Sequence, residues 1–482
     1  MNIIGGGNKM ELLNTLVGNV NEFLWSKLLV IMLITLGLYF TFRTKFVQFR
    51  FFGEMFRLLG DGARGEKKEG AVSSFQAFCI STASRVGTGN IAGIAMAVVA
   101  GGPGSVFWMW LIALIGSASS FVESTLAQIY KIKDGEGFRG GPAYYMEQGL
   151  KSRTMGIVFS ILITICFGFI FNAVQSNTIT VAFKNAFGMN RLAVGIVLAV
   201  LTGIIIFGGV HRVAKVSEII VPIFAVLYIA VALVVVAINI SEIPGVIKTI
   251  FASAFGFREM AVGSMGGMIL VGIKRGLFSN EAGMGSAPNA AATADATHPV
   301  KQGLIQTLGV FTDTLVICSC TAFMILLYPD YATAGLEGIE LTQAALSSQI
   351  GPIGNIFIAI CILLFAFSSI VGNYYYGESN IGFMSNNKIV LNIFRVMVVG
   401  MVLFGSIAKV QLVWDLADVF MGLMAIINLV AIALLGKYAF LALKDYTDQK
   451  KAGIKDPIFY ASNIKGLENV ENWQDDKEEE VL

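Results

Sequence analysis

The stretch Ala83-Ser84-Arg85-Val86-Gly87-Thr88-Gly89-Asn90-Ile91-Ala92-Gly93 decides how this chain is read. It sits inside an apolar run long enough to cross a bilayer, yet two glycines flank a threonine and an asparagine follows, which weakens a helix at mid-membrane depth. The N–H and C=O groups freed there find no water and need partners inside the protein. Such a break presents backbone donors and carbonyls to a solute. A glycine-lined packing face between helices is the other reading of the same residues.

The rest of the chain is equally apolar. Of 482 residues, 55% are hydrophobic and 14% charged, against about 25% charged in soluble domains, so a water-soluble enzyme is excluded. The 34 Lys and Arg nearly balance 32 Asp and Glu, leaving no basic field for nucleic acid. The 53 glycines against 9 prolines suit closely packed or broken membrane helices. The five cysteines lie in apolar runs without paired spacing and read as small buried hydrophobes. No phosphate loop, zinc spacing or nucleophile–base set is visible, so neither catalysis nor a nucleotide partner is expected.

A bilayer core of about 30 Å takes about 20 apolar residues per helix. Eleven segments qualify, near 23–42, 76–100, 104–130, 156–183, 192–210, 216–240, 258–283, 302–328, 353–382, 389–407 and 410–436, giving an all-α integral membrane protein. The polar residues 1–22 lack the basic start and cleavage site of a signal peptide and read as a retained external segment. Lys and Arg crowd alternate connections: 43–75, 131–155, Arg212 and Lys215, Lys274 and Arg275, and the tail. This places the carboxyl terminus in the cytoplasm, the amino terminus outside, and the protein in the cell membrane. Residues 241–257 read as an external amphipathic helix, and 445–482 as a polar, solvated and partly disordered cytoplasmic tail.

A second interruption is expected in the seventh segment, where Gly263, Gly266, Gly267 and Gly272 punctuate the apolar run. With 23–42 set aside as an extra helix, the two broken segments are the first and sixth of ten. That predicts two five-helix halves, 76–240 and 258–436, of opposite membrane orientation, with a site at their shared axis. For a zwitterion, Thr88, Gly89 and Asn90 are the candidates for the carboxylate. Ala83, Ser84 and the carbonyls near Gly266 and Gly267 are the candidates for the ammonium.

Four blocks carry a family resemblance: GTGNIAGIAMAVVAGGPGSVFWMW (87–110), RGGPAYYMEQGL (139–150), RGLFSNEAGMGSAPNAAA (275–292) and HPVKQG (298–303). Together they resemble the alanine or glycine:cation symporters. The resemblance implies a leucine-transporter-type 5+5 core behind one extra helix, and sodium-driven uptake of small neutral amino acids, with sodium as the co-transported ion. It implies side-chain walls from the fourth and ninth segments. On the fourth, Phe167, Phe171 and Gln175 recur at i, i+4 and i+8 and share a face; on the ninth, Asn373 is a further polar wall. It also implies a sodium site between Ser368, Ser369 and the carbonyls of Ala83 and Val86. Bonding of the two serines back into their own helix is the alternative. Arg85 paired with Glu123 reads as a brace or gate, and Asp313 as either a proton-coupling carboxylate or an anchor. A proton-coupled carrier of the same fold is the near alternative, and an ion channel a more distant one.

Overall fold

The computed structural model describes residues 15, 17–64, 72–135, 137–256 and 265–473. Helix α1 (Val17–Arg43) is followed by a short surface helix α2 (Phe52–Arg64). The first break then separates α3 (Ser74–Arg85) from α4 (Gly89–Gly101), which are bent by 48°. Six helices follow: α5 (Gly104–Ile129), α6 (Pro142–Gln148), α7 (Arg153–Phe187), α8 (Arg191–Ile206), α9 (Gly209–Ile238) and α10 (Ile243–Ala254). The chain continues as α11 (Met265–Asn280), a one-turn α12 (Ala287–Ala291), α13 (Pro299–Leu326), α14 (Gly338–Ile350), α15 (Ile353–Met384), α16 (Lys388–Ile407) and α17 (Val410–Lys451). One antiparallel hairpin, β1 (Ile132–Asp134) and β2 (Gly137–Arg139), pairs Ile132 with Arg139.

Among the described residues, eight helices are long and apolar enough to span, or nine with the α3–α4 pair taken as one. The expected segments 192–210 and 258–283 correspond to α8 and α11, each 16 residues long; residues 257–264 lie outside the described part. Lipid-facing side chains are plain on α8, α9 and α16, where Val200, Val226, Ile389 and Val396 are each more than half exposed.

Local sequence explains where these helices start and stop. Ser73 and Gln76 form a reciprocal capping box at the head of α3. Asn190 and Asn387 cap α8 and α16 with their side-chain oxygens. His298 caps α13: its Nδ1 accepts from Val300 N at 3.2 Å, so its Nε2 is left to face Asp445 Oδ2 at 3.2 Å. Burial holds the His298 pKa below its ordinary value against the opposing pull of Asp445.

Two expectations are corrected here. The tail is not a solvated appendage: α17 runs to Lys451, and residues 452–473 strap back over the end that carries the β hairpin. Phe459, Ile464 and Trp473 are buried, Trp473 Nε1 donates to Gln128 O at 2.8 Å, and Phe459 N donates to Thr297 O at 2.9 Å. Apolar residues spaced through an acidic segment were enough to dock it. Residues 474–482 lie outside the described part, as do most of 1–22. Lys274 and Arg275 do not belong to a loop either. They sit inside α11, within 3.3 and 2.8 Å of Asp418 near the head of α17, because helix α11 continues past them to Asn280.

At the strap end, Tyr446 OH donates to Glu54 Oε1 at 2.6 Å and Arg57 Nε to Oε2 at 2.9 Å. Burial pushes the Glu54 carboxyl up, but Arg57, Tyr446 and Lys450 outweigh it and hold it at about 2.

Helix contacts rest on small residues, since lipid provides little hydrophobic drive between helices. A Cβ at Gly405 would overlap the Ala173 backbone of α7, whereas Gly400, on the same helix, has nothing within 4 Å. Gly405→Val is therefore expected to cost about 1–3 kcal/mol by overpacking and Gly400→Val less than about 0.5 kcal/mol. Melting temperatures of the two variants in detergent check this.

Candidate functional site

The first break is built by its own residues. Val86 leaves the helix with extended backbone, φ −80° and ψ 98°. Asn90 Oδ1 then accepts from Gly87 N at 2.9 Å, so the side chain that follows the glycines takes up a backbone N–H freed at the break. Thr88 N is served by Gln175 Oε1 of α7 at 3.0 Å. Glycine is required at 87 because a Cβ there would overlap Ser369 Oγ, and at 89 because it would press Phe278 Cδ1 at 2.9 Å.

Among the described residues the second break lies further along than expected; Gly263 lies outside them. Gly266 and Gly267 occupy the first turn of α11, with Gly266 exposed, and the helix runs unbroken from there to Asn280. Their carbonyls are therefore not an unwound ammonium site. The glycines inside α11 serve packing instead: Cβ atoms at Gly272 and Gly276 would press on Ser105 and Ile112 of α5. Unwinding occurs at residues 281–286, where Glu281, Gly283 and Gly285 take φ of +58°, +84° and +87°, a left-handed run no α-helix can accommodate.

Glu123 of α5 holds that unwound turn. Its Oε1 accepts from Gly283 N and its Oε2 from Gly285 N, both at 3.1 Å, and Asn428 Nδ2 of α17 donates to Oε2 at 2.8 Å. Asn428 is itself fixed by Tyr145 OH. The expected Arg85–Glu123 pair does not form among the described residues: Arg85 Nη1 reaches Gln306 O at 3.4 Å, and the Glu123 oxygens are taken up by the Gly283, Gly285 and Asn428 N–H groups. Asp313 of α13 is the second buried carboxylate, accepting from Asn90 Nδ2 at 2.6 Å, Ser279 Oγ at 2.7 Å and Thr314 Oγ1 at 2.9 Å.

Helix α15 faces both breaks. Ser369 Oγ lies 3.2 Å from Val86 O, so these two candidates meet. Ser369 Oγ also lies 3.0 Å from Phe365 O of its own helix, and Ser368 Oγ donates to that same carbonyl at 2.8 Å. Asn373 meets Ser84 at 2.7 Å. Ala83 is buried in the last turn of α3. Phe167 and Phe171 pack tilted at 4.6 Å, Phe171 stacks on Phe278 at 4.6 Å, and Phe278 meets Trp414 at 4.7 Å. Trp414, at the end of this aromatic row, also lines a cavity of about 260 Å³ together with Ala92, Met96, Asn177, Glu337 and Gln411. Arg275 lies over Trp414 at 4.7 Å and is tied to Asp418. Three lining stretches, Gly89–Gly93, Thr164–Phe171 and Phe311–Cys318, loosen into wider i→i+5 turns, a feature frequent at functional sites.

The sodium:alanine symporter family model matches residues 10–461. This chain belongs to that family. The symporter is 60% identical over 463 residues, 96% of either chain, to the "Probable sodium/glutamine symporter GlnT" of Bacillus subtilis. It is 37% identical over 445 residues, 91% of this chain and 98% of the other, to the "Sodium/alanine symporter AgcS" of Methanococcus maripaludis. Among solved structures, MhsT in complex with L-phenylalanine superposes with a TM-score of 0.57 at 15% identity, covering 80% of this chain and 99% of that one. A manganese transporter from Eremococcus coleocola gives 0.52 at 13% identity, covering 82% and 84%. The symporter is thus a multi-pass membrane protein of the leucine-transporter-type fold, a transporter and not an enzyme.

Sequence reasoning missed Glu281, Phe278, Trp414 and Asn428. Glu281 was legible as the acid inside SNEAGMGS; the others look like ordinary helix residues. Glu123→Gln offers one acceptor oxygen to three donors, leaving a buried N–H unpaired, and is expected to cost about 1–3 kcal/mol. A correspondingly lowered melting temperature in the purified symporter checks it.

Proposed function

We propose that the symporter imports a small neutral amino acid, alanine or glycine, together with sodium, by alternating exposure of the space between the two breaks. The observation that carries this reading is the Thr88 N–H, a mid-membrane backbone donor held by the Gln175 carbonyl oxygen at 3.0 Å. That oxygen is a replaceable stand-in for one oxygen of a substrate carboxylate. Thr88, Gly89 and Asn90 then receive the carboxylate, with Ser84, Asn373 and the unwound 281–286 turn toward the ammonium and Phe167 and Phe171 as the wall that limits side-chain size.

Sodium takes hard, neutral oxygens, and Ser369 with the Val86 carbonyl supplies two in contact; Ala83 O and a rotated Ser368 complete the set. In this reading α1 is the extra helix, the two breaks head five-helix repeats of opposite orientation, and the amino terminus is outside. The aromatic row and the Arg275–Asp418 pair are the external gate. Glutamine is the second reading of the substrate, favoured by the 60% identity to a relative named for glutamine against 37% to one named for alanine.

Reconstituted vesicles with an inward sodium gradient should accumulate labelled alanine or glycine saturably. Preferential glutamine uptake would select the second substrate, and uptake indifferent to sodium would favour a proton-coupled carrier. Conduction without saturation would sink the carrier reading. In the same assay, Ser369→Ala should raise the sodium concentration for half-maximal uptake about tenfold, the equivalent of one lost ligand contact, and Ser368→Ala should raise it less. Equal effects would remove Val86–Ser369 as the centre of the ion site.

A further inference from the structure

Between the breaks lies a polar cluster that the transport reading leaves only partly used. Ser84 Oγ is 2.7 Å from Glu281 Oε1 and 2.7 Å from Asn373 Oδ1, and Ser286 Oγ is 2.5 Å from Glu281 Oε2. All four residues are buried, and Asn373 Nδ2 has no partner. A hydroxyl carries one hydrogen. With both oxygens around it acting as acceptors, Ser84 can donate to only one; the other contact needs a hydrogen from elsewhere. With the Asn373 amide oriented as it is here, a hydrogen on Glu281 Oε1 supplies it; with the amide turned over, Asn373 Nδ2 would supply it instead.

Hydrogen-bond chemistry separates this carboxylate from Glu123, and its link through Ser84 to Asn373 of α15 separates it from Asp313. Glu123 accepts from two backbone N–H groups and an amide, and Asp313 from the Asn90 amide. N–H donors cannot accept in return, so an acid at Glu123 would lose one of these bonds, whereas Asp313 Oδ2 meets only the Ser279 and Thr314 hydroxyls. The partners of Glu281 are both hydroxyls, which can donate to a carboxylate or accept from a carboxylic acid. Glu281 can therefore gain or lose a proton without losing either bond.

We infer that Glu281, with Ser84 and Asn373, is a proton-binding site coupled to the sodium site on the same two helices. On protonation, Glu281 Oε1 donates to Ser84 Oγ, and the Ser84 hydrogen turns to Asn373 Oδ1, tying α3 to α15. On deprotonation, that hydrogen turns back to Glu281 and Asn373 is released. Ser369 precedes Asn373 by one turn of α15 and meets Val86, two residues beyond Ser84. The proton therefore reinforces the helix pair that sodium bridges, and the two ligands favour one another. The charged and titratable groups facing Glu281 are Arg85 of α3, Asp313 of α13, Cys166 of α7 and Tyr376 of α15. Arg85, with Nε and Nη2 buried and unpartnered, supplies the opposite charge when the proton leaves.

This inference rests on the sodium-symport reading, and one experiment separates the two. In reconstituted vesicles, the sodium concentration for half-maximal amino-acid uptake is measured from about pH 5.5 to about pH 8.5, where one coupled proton changes it by at most about tenfold per unit. The wild type should need less sodium as pH falls. Glu281→Gln, whose amide donates to Ser84 and accepts from Ser286 as the neutral acid does, should show a flat profile at the wild-type acid value. Sodium-driven uptake with a half-maximal sodium concentration independent of pH, or the same slope in Glu281→Gln, overturns the proton site alone. Absence of sodium-driven uptake in the wild type overturns both readings. Should Glu281→Gln fail to fold, Ser286→Ala keeps the acid and removes one hydroxyl. It must then move the midpoint of the pH profile, and an unmoved midpoint overturns the proposal.

Discussion

Within a bilayer, a backbone N–H that leaves its helix has to be met by another part of the protein. Both breaks depend on this. Gly87 N is met by Asn90, Thr88 N by Gln175, and Gly283 N and Gly285 N by the two oxygens of Glu123. Each partner is in turn positioned by a helix that packs on the breaks, so α5, α7 and α17 are as necessary to the unwound segments as the glycines within them. Asn428 illustrates the depth of the arrangement: it donates to both Glu123 and the Gly283 carbonyl while accepting from Tyr145.

Helix α15 is the element that sees everything at once. Ser369, Asn373 and Asn380 lie along one face and reach Val86, Ser84 and Asn289 respectively. A single 32-residue helix therefore touches the first break, the helix before it and the short helix after the second break. The chemistry of these contacts differs along the face. Hydroxyl contacts near Ser84 can reverse donor and acceptor, whereas the amide and backbone N–H contacts around Glu123 cannot. The same structure thus contains a fixed joint at Glu123 and a re-pairable joint at Glu281 between the two breaks.

Some of this was legible residue by residue. Gly87-Thr88-Gly89-Asn90 marks the first break because each residue there has a local consequence, down to Asn90 capping Gly87. The second break was misplaced because glycine has two uses: Gly272 and Gly276 let α11 approach α5, while Gly283 and Gly285 permit left-handed backbone. Both uses look alike in a sequence. The tail was read as solvated from its charge, yet Phe459, Ile464 and Trp473 are spaced so that three widely separated apolar side chains dock it. Lys274 and Arg275 were counted with a loop since only the packed structure puts Asp418 beside them.

Composition, run length and residue type are local properties, and from them alone the chain declares a multi-pass helical membrane protein, its first mid-membrane break, and the neutral oxygen and aromatic character of its site. Which groups meet is a different matter. Glu123 holds Gly283 across 160 residues, Ser84 meets Asn373 across 289, and Arg275 meets Asp418 across 143. Such pairings arise only when helices pack and desolvate their polar groups together, because that is when an unmet donor becomes costly and its one available partner becomes decisive.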